Sequence, residues 1–169
     1  MMHRQEIYRS RYLAGCVKRY STWPMLQQQT VGHHCWRVAN IYVECFGMPR
    51  AEVLYYCLNH DSGELWAGDL PFGVKARLPA LKEAMNEAEA IGLQQLELKL
   101  PELSHMEIVQ CKICDLLEMH ECGEHEMKMG NTYAEPIYRD TAHAAQRLAG
   151  ELCVSQKVND WLGKRGSRI

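Results

Sequence analysis

Residues 57–70 read CLNHDSGELWAGDL: an apolar helical run ending in a His–Asp pair and followed by two further carboxylates, Glu64 and Asp69. Helical phase puts Leu54, Cys57, Leu58 and Asp61 on one face, so the run carries an aspartate, with His60 beside it, into the interior at a helix C-terminus. The helix dipole and desolvation both oppose a carboxylate there, which asks for a compensating positive charge. A metal ion would supply it.

The same phase separates two adjacent histidines upstream. After Gly32, His34, Val38, Ile41 and Cys45 fall on one stripe and His33, Arg37, Asn40 and Glu44 on the next, turning His34 inward and His33 outward. A single inward histidine is more often a hydrogen-bonded core residue than a ligand. In CKICDLLEM, residues 111–119, Asp115 sits among Ile108, Val109, Cys111, Ile113, Cys114, Leu116 and Leu117. Either a salt bridge to a buried Arg or Lys or a cation would compensate its charge. His34, His60, Asp61 and Asp115 thus come from separate helical segments and form an imidazole and carboxylate set that suits a divalent ion such as Co, Mn, Zn, Fe or Mg. Positions remain for water and phosphate oxygens.

Outward from this set, the chain of 169 residues, 47% hydrophobic and 24% charged, has ordinary globular composition and is expected to form a single domain over residues 1–169. Periodicity predicts helices over residues 5–20, 34–46, 51–61, 78–91, 104–122 and 133–161, an all-α fold built as a compact helical bundle. GMPR at 47–50 stops and restarts a helix, and Ser104 followed by Glu107 has the pattern of a capping box. WAGDLPFG is expected to be a loop, and ECGEHEMKMGNTY a polar surface connection.

A net charge of −2 excludes a broadly basic surface, so a nucleic-acid duplex is not expected as a partner. The charged N-terminal stretch MMHRQEIYRSRYLAG has no apolar h-region, and no segment approaches eighteen uninterrupted apolar residues, so we expect a cytoplasmic protein with no membrane partner. Among the eight cysteines, Cys16, Cys35, Cys45 and Cys57 lie in helical patterns and read as reduced core thiols. CKIC with His120, Cys122 and His125 offers the donors of a structural zinc site. C-x-x-C zinc knuckles, however, sit on turns rather than inside a helix.

An inward His, a helix-borne His–Asp pair and an Asp roughly fifty residues downstream resemble the HD superfamily of metal-dependent phosphohydrolases. RYSTWPM, TVGHHCWRVA, NHDSGELWAGDLP, GVK and KICDLLE together are similar to its small nucleotidases, the bacterial 5′-deoxynucleotidases and the phage dATP triphosphohydrolases. The likeness covers residues 15–120; the family pattern commonly reads EH where this chain has His33–His34.

The resemblance implies a divalent cation on His34, His60, Asp61 and Asp115, with Glu64 orienting or deprotonating the attacking water. It also implies that Asp69 lies close to the scissile ester, where it protonates the leaving 5′-oxygen or positions the water. Without it, the two carboxylates read as solvated loop groups. Arg19, Lys75 and Lys112 are candidate phosphate partners or snorkelling surface cations, and Trp23 with Pro24 is a candidate wall for the base, or a core anchor. The substrate implied is a small deoxynucleotide, foremost dATP in a phage whose DNA carries diaminopurine, and the assembly implied is a homo-oligomer, a dimer or a ring of dimers.

Overall fold

The structure, a computed structural model, describes residues 4–69 and 78–166. The described residues form α1 (Arg4–Gly15), α2 (Val31–Phe46), α3 (Ala51–Asn59), the short α4 (Glu64–Ala67), α5 (Pro79–Gln95) and α6 (His105–Lys128). A 3₁₀ turn (Thr132–Ala134) leads into α7 (Glu135–Glu151), and α8 (Ser155–Gly166) follows. Among them there is no β-strand, only an isolated bridge between Lys18 and Thr30. No described helix is long and apolar enough to cross a membrane.

The all-α expectation holds; the differences are helix ends, a break inside the last expected helix, and the short α4, which takes in Trp66 and Ala67 of the stretch expected as a loop, while residues 70–73 of that stretch lie outside the described residues. The first helix stops at Gly15 rather than running to residue 20, which leaves Cys16 exposed instead of in the core. The helix expected over 133–161 is broken at Cys153, where φ is +57°. There Val154 N donates to Ala149 O at 2.9 Å and Cys153 N to Gly150 O at 3.2 Å. That is a Schellman end with cysteine in the position usually held by glycine, so the sequence carried no punctuation to announce it. The stretch expected as a surface connection after residue 120 instead continues α6 to Lys128, which closes by the same motif on Gly130 (φ +96°).

The chain divides into two compact units. In the first, Met1–Cys35 with Leu58–Leu100, the buried Ala14, Leu96 and Leu98 pack with Leu65 and Leu93. Arg11 ties the end of this core down, its Nε donating to Leu96 O at 2.9 Å and its Nη2 to Glu97 O at 2.9 Å. Here α4 lies against α5 so closely that a Cβ on Gly92 would come within 2.6 Å of both Gly63 O and the Trp66 side chain.

In the second unit, Trp36–Cys57 with Pro101–Ile169, the buried side chains include Val38, Ile41, Val53, Cys57, Ile113, Leu117, Ala145 and Val158. On α3 the inward face is Val53 and Cys57, whereas Leu58, expected inside, is 47% exposed. Arg37 bridges Glu121 (2.7 Å) and Glu44 (2.6 Å), and Trp161 of α8 donates to Glu44 at 2.8 Å. Ser104 caps α6 through the expected capping box with Glu107, whose carboxylate also takes Arg50 Nε at 2.7 Å.

Candidate metal centre

Backbone approach in the first unit decides where His34 points. Val31 N donates to Val17 O at 2.9 Å, and a Cβ on Gly32 would meet Gly15 O at 3.0 Å, so the first turn of α2 seats against the end of α1. His34, one turn in, is fully buried, as are Val38 and Ile41 on its stripe, while His33 is exposed. The helix carrying the second motif ends at Asn59, and the chain turns through His60–Gly63, with Ser62 N donating to Asn59 O and Glu64 N to Asp61 O, both at 3.0 Å. Asp61 therefore stands in a tight turn just past the helix end, where the dipole argument placed it.

Around Asp61 the donors converge. Its Oδ2 lies 3.3 Å from His34 Nε2 and its Oδ1 3.4 Å from His60 Nε2. The imidazole rings are 5.4 Å apart and tilted by 52°. One ligand atom from each of His34, His60 and Asp61 falls within 4.8 Å of the others. Two imidazole nitrogens and a carboxylate at this spacing fit a borderline divalent cation. Cys35, buried beside His34, places its Sγ 3.8 Å from His60 Nδ1, which fixes the ring by its far nitrogen. Arg19, 4% exposed, donates from Nη1 to Asp61 Oδ2 at 3.3 Å.

The electrostatics of the group without a cation follow from that crowding. Burial opposes ionisation of Asp61, but His60, His34 and Arg19 outweigh it and hold the carboxyl well below its usual range. Burial likewise pulls His60 down, and Asp61 with Cys35 carries it up to about 9. Glu64 goes the other way: burial first, then the charges of Asp61 and Asp69, push its carboxyl up to about 8. Its Oε2 is buried and meets no hydrogen-bond donor among the described residues.

Of the residues expected at the site, His34, His60, Asp61 and Arg19 touch, and Glu64 feels the charge of Asp61. Asp69 accepts a hydrogen bond from Tyr20 N at 2.7 Å. Trp23 is half-buried and Pro24 exposed in the segment between α1 and α2. In the second unit, Asp115 pairs with Lys112 one turn earlier on α6, the compensating basic residue that its sequence context allowed, although this lysine is exposed rather than buried. Ile108, expected to enclose Asp115, is 46% exposed. Lys75 lies outside the described residues.

Among the described residues the CKIC cysteines and their nearby histidines form no metal-donor group. Cys57 Sγ and Cys111 Sγ are 3.6 Å apart, and His120 Nδ1 donates to Tyr138 O at 2.7 Å. Sequence reasoning missed Tyr20 and the role of Cys35. Cys35 is the buried free thiol expected beside His34, and only its contact with His60 had no signal beyond that neighbourhood.

The chain is similar to the cyanophage S-2L HD phosphohydrolase DatZ, solved with dA and one catalytic Zn2+ ion: TM-score 0.75 and 19% identity, covering 100% of this chain and 99% of that one. It is also similar to an HD-domain phosphohydrolase from Listeria innocua, with TM-score 0.71 and 21% identity over 96% of this chain and 87% of that one. These two likenesses establish the all-α HD-domain fold. No curated protein matches the sequence. The family model for 5′-deoxynucleotidases of the YfbR-like kind matches residues 12–111, more than half of the chain and the whole segment from Arg19 to Asp69. The chain therefore belongs to the YfbR-like 5′-deoxynucleotidase family and is an HD-type phosphohydrolase.

Proposed function

We propose that the chain is a dATP triphosphohydrolase releasing deoxyadenosine and triphosphate, working as one HD domain over residues 1–169 with a divalent cation on His34, His60, Asp61 and Asp115. The observation that carries the hydrolytic part is the Asp61 carboxylate flanked by two imidazoles and Arg19, with buried Glu64 beside them. A bound cation there supplies Lewis-acid polarisation of a phosphoryl oxygen and lowers the pKa of a water. Glu64, in its ionised form, would accept a proton from the attacking water. Arg19 balances charge on the phosphate oxygens, with Lys75 and Lys112 as further partners, because a triphosphate of about four negative charges exceeds what one cation and one arginine offset.

The choice of dATP rests on Trp23 and Pro24, whose flat and rigid surface suits packing against a purine. It rests also on likeness to a phage phosphohydrolase solved with dA. A phage that replaces adenine by diaminopurine would use such an activity to deplete dATP. The family match favours a second reading, a 5′-deoxynucleotidase cleaving monophosphates. A nucleotide-binding module without turnover is the reading from outside catalysis. We place the activity in the cytoplasm, that of the host cell if the chain is phage-encoded, and on a homo-oligomer.

Purified protein incubated with each dNTP and dNMP plus Mn or Co, with products resolved by ion exchange, separates these readings. Triphosphate from dATP supports the first, and phosphate from monophosphates alone supports the second. Nucleotide binding without any product leaves the third.

A further inference from the structure

Two cysteine sulfurs meet at the point of the chain where the second unit is left. Cys57, in the last turn of α3, closes the stretch Trp36–Cys57 of that unit; the chain then runs through Leu58–Leu100 of the first unit and re-enters the second at Pro101. Cys111, in the second turn of α6, brings its Sγ to 3.6 Å from Cys57 Sγ across 54 positions of sequence. Both are buried, at 0% and 5% exposure. The span between them carries His60, Asp61, Glu64 and Asp69, so a bond between these sulfurs would close a loop around the whole motif segment. Neither side of the pair is loose. Val53 lies one turn before Cys57 on the buried face of α3, and Ile113 and Cys114, both fully buried, follow Cys111 on α6. The turn through His60–Gly63 has no slack either, because a Cβ on Gly63 would collide with Glu89 O of α5.

We infer that Cys57 and Cys111 form a disulfide on exposure to hydrogen peroxide, and that this bond weakens cation binding at His34, His60 and Asp61. The crosslink stands on its own geometry, whereas its effect on the cation rests on the metal centre that the hydrolytic reading uses. One sulfur, as thiolate, attacks a peroxide oxygen and the O–O bond breaks, giving a sulfenic acid and, with the thiol's own proton, one water. The second sulfur then attacks the first, the S–O bond breaks, and the hydroxide leaves as a second water with the other thiol's proton. Two thiols and one H2O2 thus give one disulfide and two H2O, each sulfur losing one electron and each peroxide oxygen gaining one. Peroxide is close to water in size, so it reaches buried sulfur that larger oxidants do not. Bond formation shortens the contact to about 2.05 Å, a shift of about 1.5 Å. Rotation of the two side chains takes up part of it and the end of α3 the rest, three residues before His60. A metal site tolerates only about 0.2 Å in ligand distance, so even a fraction of that shift lowers affinity.

The test uses the full chain with the exposed and half-buried cysteines replaced, Cys16→Ser, Cys122→Ser and Cys153→Ser, so that peroxide meets buried thiols alone. This parent is treated with chelator, oxidised with H2O2, cleared with catalase, and divided among non-reducing peptide mass mapping, Co2+ titration and thermal unfolding. A linked Cys57–Cys111 peptide should dominate the map. Co2+ should bind about tenfold more weakly, and dithiothreitol should reverse both changes. Tm of the metal-free protein should rise by about 5–15 °C, because the bond closes a long loop in the unfolded chain. Adding Cys111→Ala should make the protein indifferent to peroxide in all three measurements. That variant keeps Cys35, so a loss of Co2+ affinity that survives in it belongs to the thiol beside His34 and overturns the inference. So does a parent whose Cys57 and Cys111 stay reduced under peroxide, or a complete crosslink that leaves Co2+ affinity unchanged. Should Cys111→Ala fail to fold, the identity of the linked peptide and the reversal by dithiothreitol decide in the parent. A parent that binds no Co2+ before oxidation would sink the metal centre, and the mass and Tm arms would still decide the crosslink.

Discussion

Glu64 shows how placement sets the chemistry of a side chain. Its carboxyl is 5% exposed, one oxygen meets no described donor, and Asp61 and Asp69 add like charge, so it titrates at about 8 in the folded protein against 4.5 as its ordinary value. The folded state thus keeps a proton that the unfolded chain has released. The contribution is fully present below pH 4.5 and is lost as pH rises through about 8. Metal-free wild type should therefore lose stability between pH 5 and 8 more steeply than Glu64→Gln does, compared by urea unfolding. Parallel slopes would mean that Glu64 is already ionised in the fold. Cys35 makes a second prediction at this scale. If its sulfur steadies His60, Cys35→Ala should weaken Co2+ binding about tenfold while Cys35→Ser stays near wild type, as measured by titration of the apo protein. Equal affinity in all three would remove that role. His34 was legible in sequence because helical phase alone decides which way it faces. The sulfur contact was not, since His60 lies 25 residues further on and a buried thiol looks like core filling.

Among the helices, α6 was half legible. Its start follows from Ser104 and Glu107, whose reciprocal hydrogen bonds are local and need no tertiary partner. Its continuation to Lys128 depends on burying polar groups that read as surface. His120 donates to Tyr138 O, and Glu126 accepts from Asn131 Nδ2 at 2.6 Å, partners that lie on or before the following helix. Gly123 fits the same account. It lies inside the helix, where glycine costs about 1 kcal/mol relative to alanine. It is nevertheless packed so that a Cβ would meet Tyr138 N at 2.7 Å and Tyr138 Cα at 3.0 Å. Those are backbone atoms of α7, which cannot swing aside as a side chain does. Gly123→Ala should thus destabilise by about 1–3 kcal/mol despite the better helix propensity, read as a lower urea midpoint at unchanged m-value. A stabilised variant would mean that α6 and α7 lie further apart.

At the scale of the molecule, the helical class was legible and the division into two units was not. Both α2 and α3 pass from one unit to the other, and nothing in their periodicity marks the crossing at Cys35 or Cys57. His34, His60 and Asp61 all belong to the first unit and Asp115 to the second, so the proposed ligand set makes a prediction about the chain as a whole. A ligand that binds only the folded protein stabilises it by about 2.7 kcal/mol at a hundredfold excess over its Kd. For a chain of this size each kcal/mol raises Tm by about 2–4 °C, so saturating Mn2+ or Co2+ should raise Tm by about 5–10 °C over chelator-treated protein. Asp61→Ala should abolish the increment, because it removes the one carboxylate between two imidazoles. Asp115→Ala separates two roles for the acid on α6. As a ligand, its loss should remove most of the increment; as the ion-pair partner of Lys112 alone, it should lower Tm slightly with and without cation and leave the difference intact. Lys112→Ala is the control, since it breaks the same pair while keeping the carboxylate. An Asp115→Ala variant that behaves like Lys112→Ala would confine the ligands to the first unit.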